Sequence, residues 1–168
     1  MNAIKNITLA GIIGLVLLAG LCGMQNLSAQ TVWLDELDLS TATQGYGVPM
    51  KNKSLDGNTM SIAGQTFKRG FATHAVSSLF VLTEGNASEF TAKVGLDDEM
   101  KGHEPAVEFE VYGDGNKLWT SGVMHIGDSA KVCSVALTGV KKVELVVADG
   151  GNGNYYDHAN WADAKFET

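Results

Sequence analysis

The densest set of side chains able to bind or react lies near the end of the chain. After Asp149, Gly150, Gly151, Asn152, Gly153 and Asn154 come Tyr155, Tyr156, Asp157, His158, Ala159, Asn160, Trp161, Ala162 and Asp163. Carboxylates, amides and imidazoles beside aromatic rings suit two kinds of ligand. They can meet the hydroxyls and apolar C–H face of a sugar, or supply oxygen to a divalent cation. The Gly/Asn run gives the backbone conformations closed to most residues, as a displaying loop requires. Known loop motifs do not match it. Counted from Asp149, an EF-hand would need side-chain oxygens where Gly151 and Gly153 stand, and Gly where Asn154 stands. The calcium nonapeptide would need Asp at Tyr155, and a phosphate loop would need Lys-Ser/Thr after the glycines.

Three further groups could carry chemistry. His74, in the small-residue run Gly70-Phe71-Ala72-Thr73-His74-Ala75, can donate and accept near a ligand, or can be a buried ring satisfied by backbone. Asp97, Asp98 and Glu99 end an apolar run, and on an extended chain Asp97 and Glu99 share a face. They could hold a hydroxyl or calcium, or tie down neighbouring backbone N–H groups. Trp33, Tyr46, Trp119, Tyr155, Tyr156 and Trp161 are candidates for stacking on a sugar, or for the core. A glycosidase needs two carboxylates at a set separation, but 19 acidic residues make some such pair inevitable. No nucleophile elbow or Ser-His-Asp order occurs. Cys133 sits on the apolar face of its run, which makes it a buried, inert thiol.

Strands must position these groups. Phe90, Ala92, Val94 and Leu96 alternate with Thr91, Lys93 and Gly95; Val107, Phe109 and Val111 alternate with Glu108 and Glu110. Cys133, Val135, Leu137 and then Val143, Leu145, Val147 repeat the pattern on either side of a turn at Thr138-Gly139. Asp114-Gly115 predicts a hairpin, as does Ala63-Gly64 between Met60–Ile62 and Gln65–Phe67. Val32 to Leu39 reads as a strand or turn, and Ser78 to Leu82 as a strand. No helical period persists beyond about ten residues. About eight or nine short strands with regular turns predict an all-β fold, an antiparallel β-sandwich of jelly-roll type.

The chain has 168 residues and suits one domain. Residues 1–29 read as a secretory signal peptide: Lys5, an apolar run from Ile12 to Leu21, and Ser28-Ala29 before Gln30. Leu21 occupies the place where a lipoprotein signal at Cys22 would need a small residue. The expected product, residues 30–168, is secreted or resides in the periplasm or envelope. Without Lys5 the 12 basic residues fall to 11 against 19 acidic, net −8, which argues against nucleic acid and admits a neutral ligand or a cation. Without Cys22, Cys133 has no partner for an internal disulfide.

Taken in order, Trp33-Leu34-Asp35-Glu36-Leu37, Gly45-Tyr46-Gly47, Phe67 to Ala75, Val94 to Glu99, Val111 to Gly122 and Asp157 to Ala164 resemble the NPCBM domain, carbohydrate-binding module family 51. The resemblance implies a galactose-binding-domain-like sandwich that is not an enzyme. It would bind galactose-containing glycans, commonly carry structural calcium and work beside a glycoside hydrolase, here in trans. On that reading the ligand contacts are drawn from His74, Asp97, Asp98, Glu99, Tyr155, Tyr156, His158 and Trp161, and the calcium ligands from Asp35, Asp157 and Asp163. Asn160 departs from the closing motif, where the family pattern has Asp, which alters a hydrogen bond. The competing readings are a free-standing glycosidase using Asp98 and Glu99, and an envelope adhesion protein binding another protein.

Overall fold

The alternation read in the sequence is realised as buried and exposed strand faces. The computed structural model describes residues 29–168; the expected leader lies outside the described residues except for its last position. Twelve strands follow in chain order: β1 (Thr31–Trp33), β2 (Met50–Lys51), β3 (Met60–Ile62), β4 (Gln65–Phe67), β5 (Gly70–His74), β6 (Ser77–Leu82), β7 (Glu89–Leu96), β8 (Ala106–Gly113), β9 (Asn116–His125), β10 (Lys131–Ala136), β11 (Lys142–Ala148) and β12 (His158–Glu167). The strands not expected are β2, too short to show a period, and β5, read as a small-residue loop because all five of its residues are buried and show no alternation. Val32 to Leu39 proves to be both of its alternatives, since β1 runs into a 3₁₀ turn at Leu34–Glu36.

One sheet has the order β10-β7-β12-β5-β2, with β1 also on β12; the other is β6-β11-β8-β9; β3 and β4 form a separate hairpin. All these pairings are antiparallel. This is the expected all-β sandwich. The inner faces carry Phe90, Ala92 and Val94 of β7, Val107, Phe109 and Val111 of β8, and Val143, Leu145 and Val147 of β11, all buried. Cys133 is buried among them, and burial pushes its thiol up to about 12, so the inert reading holds. Among the described residues, no helix is long and apolar enough to cross a membrane.

Trp161 locks the two sheets together. It is 1% exposed. Its ring meets Phe109 of the opposite sheet edge-on, with centroids 5.1 Å apart at 88°, and Phe90 of its own sheet at 6.0 Å. Trp161 is therefore core, not a platform for a sugar, and the expectation of contact fails because its strand position points between the sheets. Truncation would leave a large cavity. Trp161→Ala is expected to lower stability by about 3–5 kcal/mol, measured by urea unfolding.

Candidate functional site

Strand register creates the site. β12 pairs with β5 on one side, placing His158 directly opposite His74, and with β7 on the other, placing Ala159 opposite Leu96. Two backbone bonds extend the ladders: Ala75 N–H donates to Asp157 O, and Asp97 N–H to His158 O. The ends of β5 and β7 and the start of β12 thus meet at one end of the sheet. Their loops surround an open cavity of about 490 Å³. His74 and His158 line it, with ring centroids 5.4 Å apart. Tyr46, Tyr155 and Tyr156 stand around it, and Asp56, Met100 and Asn154 complete the wall.

Each loop has a local reason for its path. Gly45 passes so close to Ala75 that a Cβ would lie 2.3 Å from the Ala75 carbonyl oxygen. This approach brings Tyr46 over His74, with centroids 5.5 Å apart. Asn154 Nδ2 donates to the Ala75 carbonyl at 3.3 Å and fixes the Gly/Asn loop to the same point. Tyr156 stacks flat on His103, at 3.7 Å and 10°. Tyr155 is 82% exposed and Tyr46 66%.

The three consecutive acids hold the site together; they do not line it. Asp97 is buried and accepts from Asn160 Nδ2 at 2.6 Å, Glu99 N–H at 2.9 Å and Ser61 N–H at 3.2 Å. Burial raises its carboxyl above the ordinary value despite those bonds. The amide at Asn160 supplies a donor that a charged carboxylate there could not. Asp98 accepts from Gly64 N–H at 2.7 Å and Ser61 Oγ at 3.0 Å, pinning the β3–β4 turn. Glu99 accepts from Ser54, Asn58, the Asp56 N–H and His158 Nδ1, the last at 2.7 Å. Burial opposes its charge, yet the bonds from Ser54, His158, Asn58 and Asp56 hold its carboxyl below the usual value. A single carboxylate therefore ties residues 54–58 to the histidine.

The acids expected to share a cation separate. Asp35 accepts a forked pair of bonds from Arg69, at 3.1 and 2.9 Å, and another from Asn52 at 3.2 Å. Burial opposes its charge, but these partners hold its carboxyl below the ordinary value. Asp163 sits at a β-bulge in β12 and faces Lys93 at 3.6 Å. Both leave the proposed cation set because basic partners already neutralise them. Asp157 is different. It is fully buried and neither carboxylate oxygen has a hydrogen-bond partner. Burial pushes it up to about 7; the Ala106 amide, close by but outside hydrogen-bonding geometry, offsets part of this, and neighbouring Asp149 adds to it.

Of the residues expected to contact a ligand, His74, His158, Tyr155 and Tyr156 converge on the cavity. Asp97, Asp98 and Glu99 stand behind it and Trp161 lies in the core. In the sequence Tyr46 is one aromatic among several, although Gly45-Tyr46-Gly47 hints at a turn bearing an exposed ring. Asp56 and Asn154 carried no signal of their own.

The NPCBM/NEW2 domain family matches residues 30–167. Alpha-1,3-galactosidase B of Akkermansia muciniphila is 34% identical over 129 residues, covering 74% of this chain and 16% of that enzyme. The chain thus spans a small part of the enzyme it matches. The solved family 51 module from a Clostridium perfringens family 95 glycoside hydrolase, in complex with methyl-galactose, superposes with a TM-score of 0.76 at 35% identity. That match covers 82% of this chain and 99% of the module. A C. perfringens ZmpB chain holding a second family 51 module in complex with GlcNAc, together with INT domains, gives a TM-score of 0.78 at 33% identity over 83% of this chain and 32% of that chain.

The Glu99 charge makes a prediction about pH. A carboxyl depressed in the folded state contributes stability above its unfolded value, 4.5, and loses it as pH falls through the folded value. Glu99→Gln is expected to cost about 1–3 kcal/mol at pH 7. That deficit shrinks in acid below pH 4.5, which urea unfolding at stepped pH would measure.

Proposed function

Because the chain belongs to the NPCBM/NEW2 domain family, a family of non-catalytic carbohydrate-binding modules, we propose that its cavity binds galactose-containing glycans. One observation carries the reading: antiparallel register sets two buried histidines side by side under a ring of tyrosines, in a cavity sized for a sugar. The buried imidazoles offer fixed hydrogen-bonding nitrogens. The exposed rings of Tyr46 and Tyr155 offer apolar faces for a pyranose. The galactose preference is supported by the methyl-galactose bound to the relative with 35% identity. Hydrolysis by Asp98 and Glu99 has no support, because both carboxylates are occupied holding the Ser54–Gly64 segment.

The leader in the sequence supports export to the periplasm, envelope or medium. There the module would keep a glycoside hydrolase, acting in trans, close to its substrate. The galactosidase that carries a related module supports that class of partner.

Calcium belongs to the same proposal, with its site redrawn. A buried carboxylate without donors suits a hard cation with oxygen ligands. Asp157 and neighbouring Asp149 would hold the ion, which would neutralise them and anchor the loop ahead of His158.

Calorimetric titration tests the sugar site. Methyl galactoside is expected to bind wild type, and His74→Ala and His158→Ala to lose at least about tenfold in affinity. Unchanged affinity in both variants sinks the reading, and a preference for N-acetylglucosamine moves it to that sugar. For calcium, thermal melts are expected to show a rise of roughly 5–10 °C at a hundred times Kd. The rise should be absent in Asp157→Asn; an equal rise in that variant removes Asp157 from the site.

A further inference from the structure

The arrangement of protons around the two histidines indicates what kind of sugar the cavity accepts. His74 Nδ1 lies 2.6 Å from the Ala75 carbonyl oxygen, which can only accept. The ring proton is therefore on Nδ1, and in the uncharged ring Nε2 is a bare acceptor. His158 Nδ1 lies 2.7 Å from the Glu99 carboxylate, whose other partners are all donors, so the same tautomer follows. Both rings are more than nine-tenths buried and line the cavity, and neither Nε2 has a protein partner. Asp56, exposed at the rim, adds a carboxylate; one of its oxygens lies within 4.8 Å of a carboxylate oxygen of Glu99 and of a ring nitrogen of His158. Among the described residues lining the cavity there is no Lys or Arg. The other groups there are neutral, and the Asn154 amide already donates to Ala75.

We infer that the cavity reads hydroxyl hydrogens on its ligand and rejects galactosides that carry sulfate or carboxylate on the bound sugar. The inference rests on the glycan-binding reading and deepens it. Two imidazole lone pairs and a carboxylate call for ligand O–H donors. A sulfate or carboxylate calls for a guanidinium or ammonium. Here it would meet Asp56 at the rim, with the Glu99 charge behind His158, and like charges at such short range repel with little screening.

Titrations at pH 8 test both halves. Fluorine cannot donate a hydrogen bond and is no larger than hydroxyl, so among the 3-, 4- and 6-deoxyfluoro methyl galactosides at least one is expected to bind about tenfold or more weaker than the parent. The 3- and 6-sulfates are expected to bind at least about tenfold weaker, by charge rather than by size. Asp56→Lys separates charge from size. It should narrow the gap for at least one sulfate, with the melting temperature unmoved, because Asp56 makes its bond to Glu99 through the backbone. Parent-like binding of all three fluoro sugars, equal affinity for the sulfates, or an unchanged gap in Asp56→Lys overturns the inference while leaving glycan binding intact. If methyl galactoside itself does not bind, the glycan reading fails and takes this one with it.

Discussion

Most of this molecule depends on β12 being paired on both sides. Between β5 and β7 it has no freedom to slip, because a one-residue shift would turn its core face outward. The same register sets two things. It sends Trp161 between the sheets against Phe109, and it sets His158 across from His74 at the sheet's end. Core and cavity are thus three residues apart on one strand. The hydrophobic term that holds Trp161 in place also fixes the imidazole, so the histidines of the cavity stand on a rigid element and the adaptable parts are left to the loops.

The acids at 97–99 show how one short run does three different jobs. Each carboxylate is directed by the 3₁₀ turn that follows β7, with Asp97 capping it through the Glu99 N–H. Asp97 turns inward to Asn160, Asp98 to the β3–β4 hairpin, and Glu99 to His158 and residues 54–58. A buried carboxylate is costly unless donors satisfy it; Asp97 and Glu99 take donors from separate segments, and Asp98 takes them at Oδ2 while its Oδ1 faces the Lys101 ammonium at 3.1 Å. They hold together chain segments that no continuous strand joins. Asp157 departs from this pattern, since it is as buried as Asp97 yet has no hydrogen-bond partner.

The sandwich was readable in the sequence because period-two alternation directly reflects one buried face, as in Phe90 to Leu96 and Val107 to Val111. The Ala63-Gly64 and Asp114-Gly115 turns were readable because few residues accept their backbone angles, and both residues of each turn have positive φ. Strands as short as Met50–Lys51 show no period. Within the site, His74 and His158 were found through their motifs, but Asp56 was not, because a lone acid in a polar loop looks like any solvated charge. Trp161 was misread because residue type cannot distinguish a ring that stacks on a ligand from one that packs in the core; strand parity, counted from buried Phe166, would have placed it inward only across the bulge at Asp163. Asp35 was misread because its partner, Arg69, is distant in sequence.

The division between fixed histidines and exposed tyrosines has an energetic consequence. His74 and His158 are held by a backbone carbonyl and a carboxylate, so binding a ligand costs them little side-chain entropy. Tyr46 and Tyr155 are largely free, and ordering each ring on a sugar costs about 0.5–1.5 kcal/mol before any contact is counted. Tyr156 lies between these cases, already stacked on His103. On the proposed glycan-binding reading the histidines would set which hydroxyls are read, while the tyrosines would contribute area that is partly offset by their ordering. On that reading a rim tyrosine would tune how tightly a sugar is held, whereas the Glu99–His158 pair would decide which sugar fits.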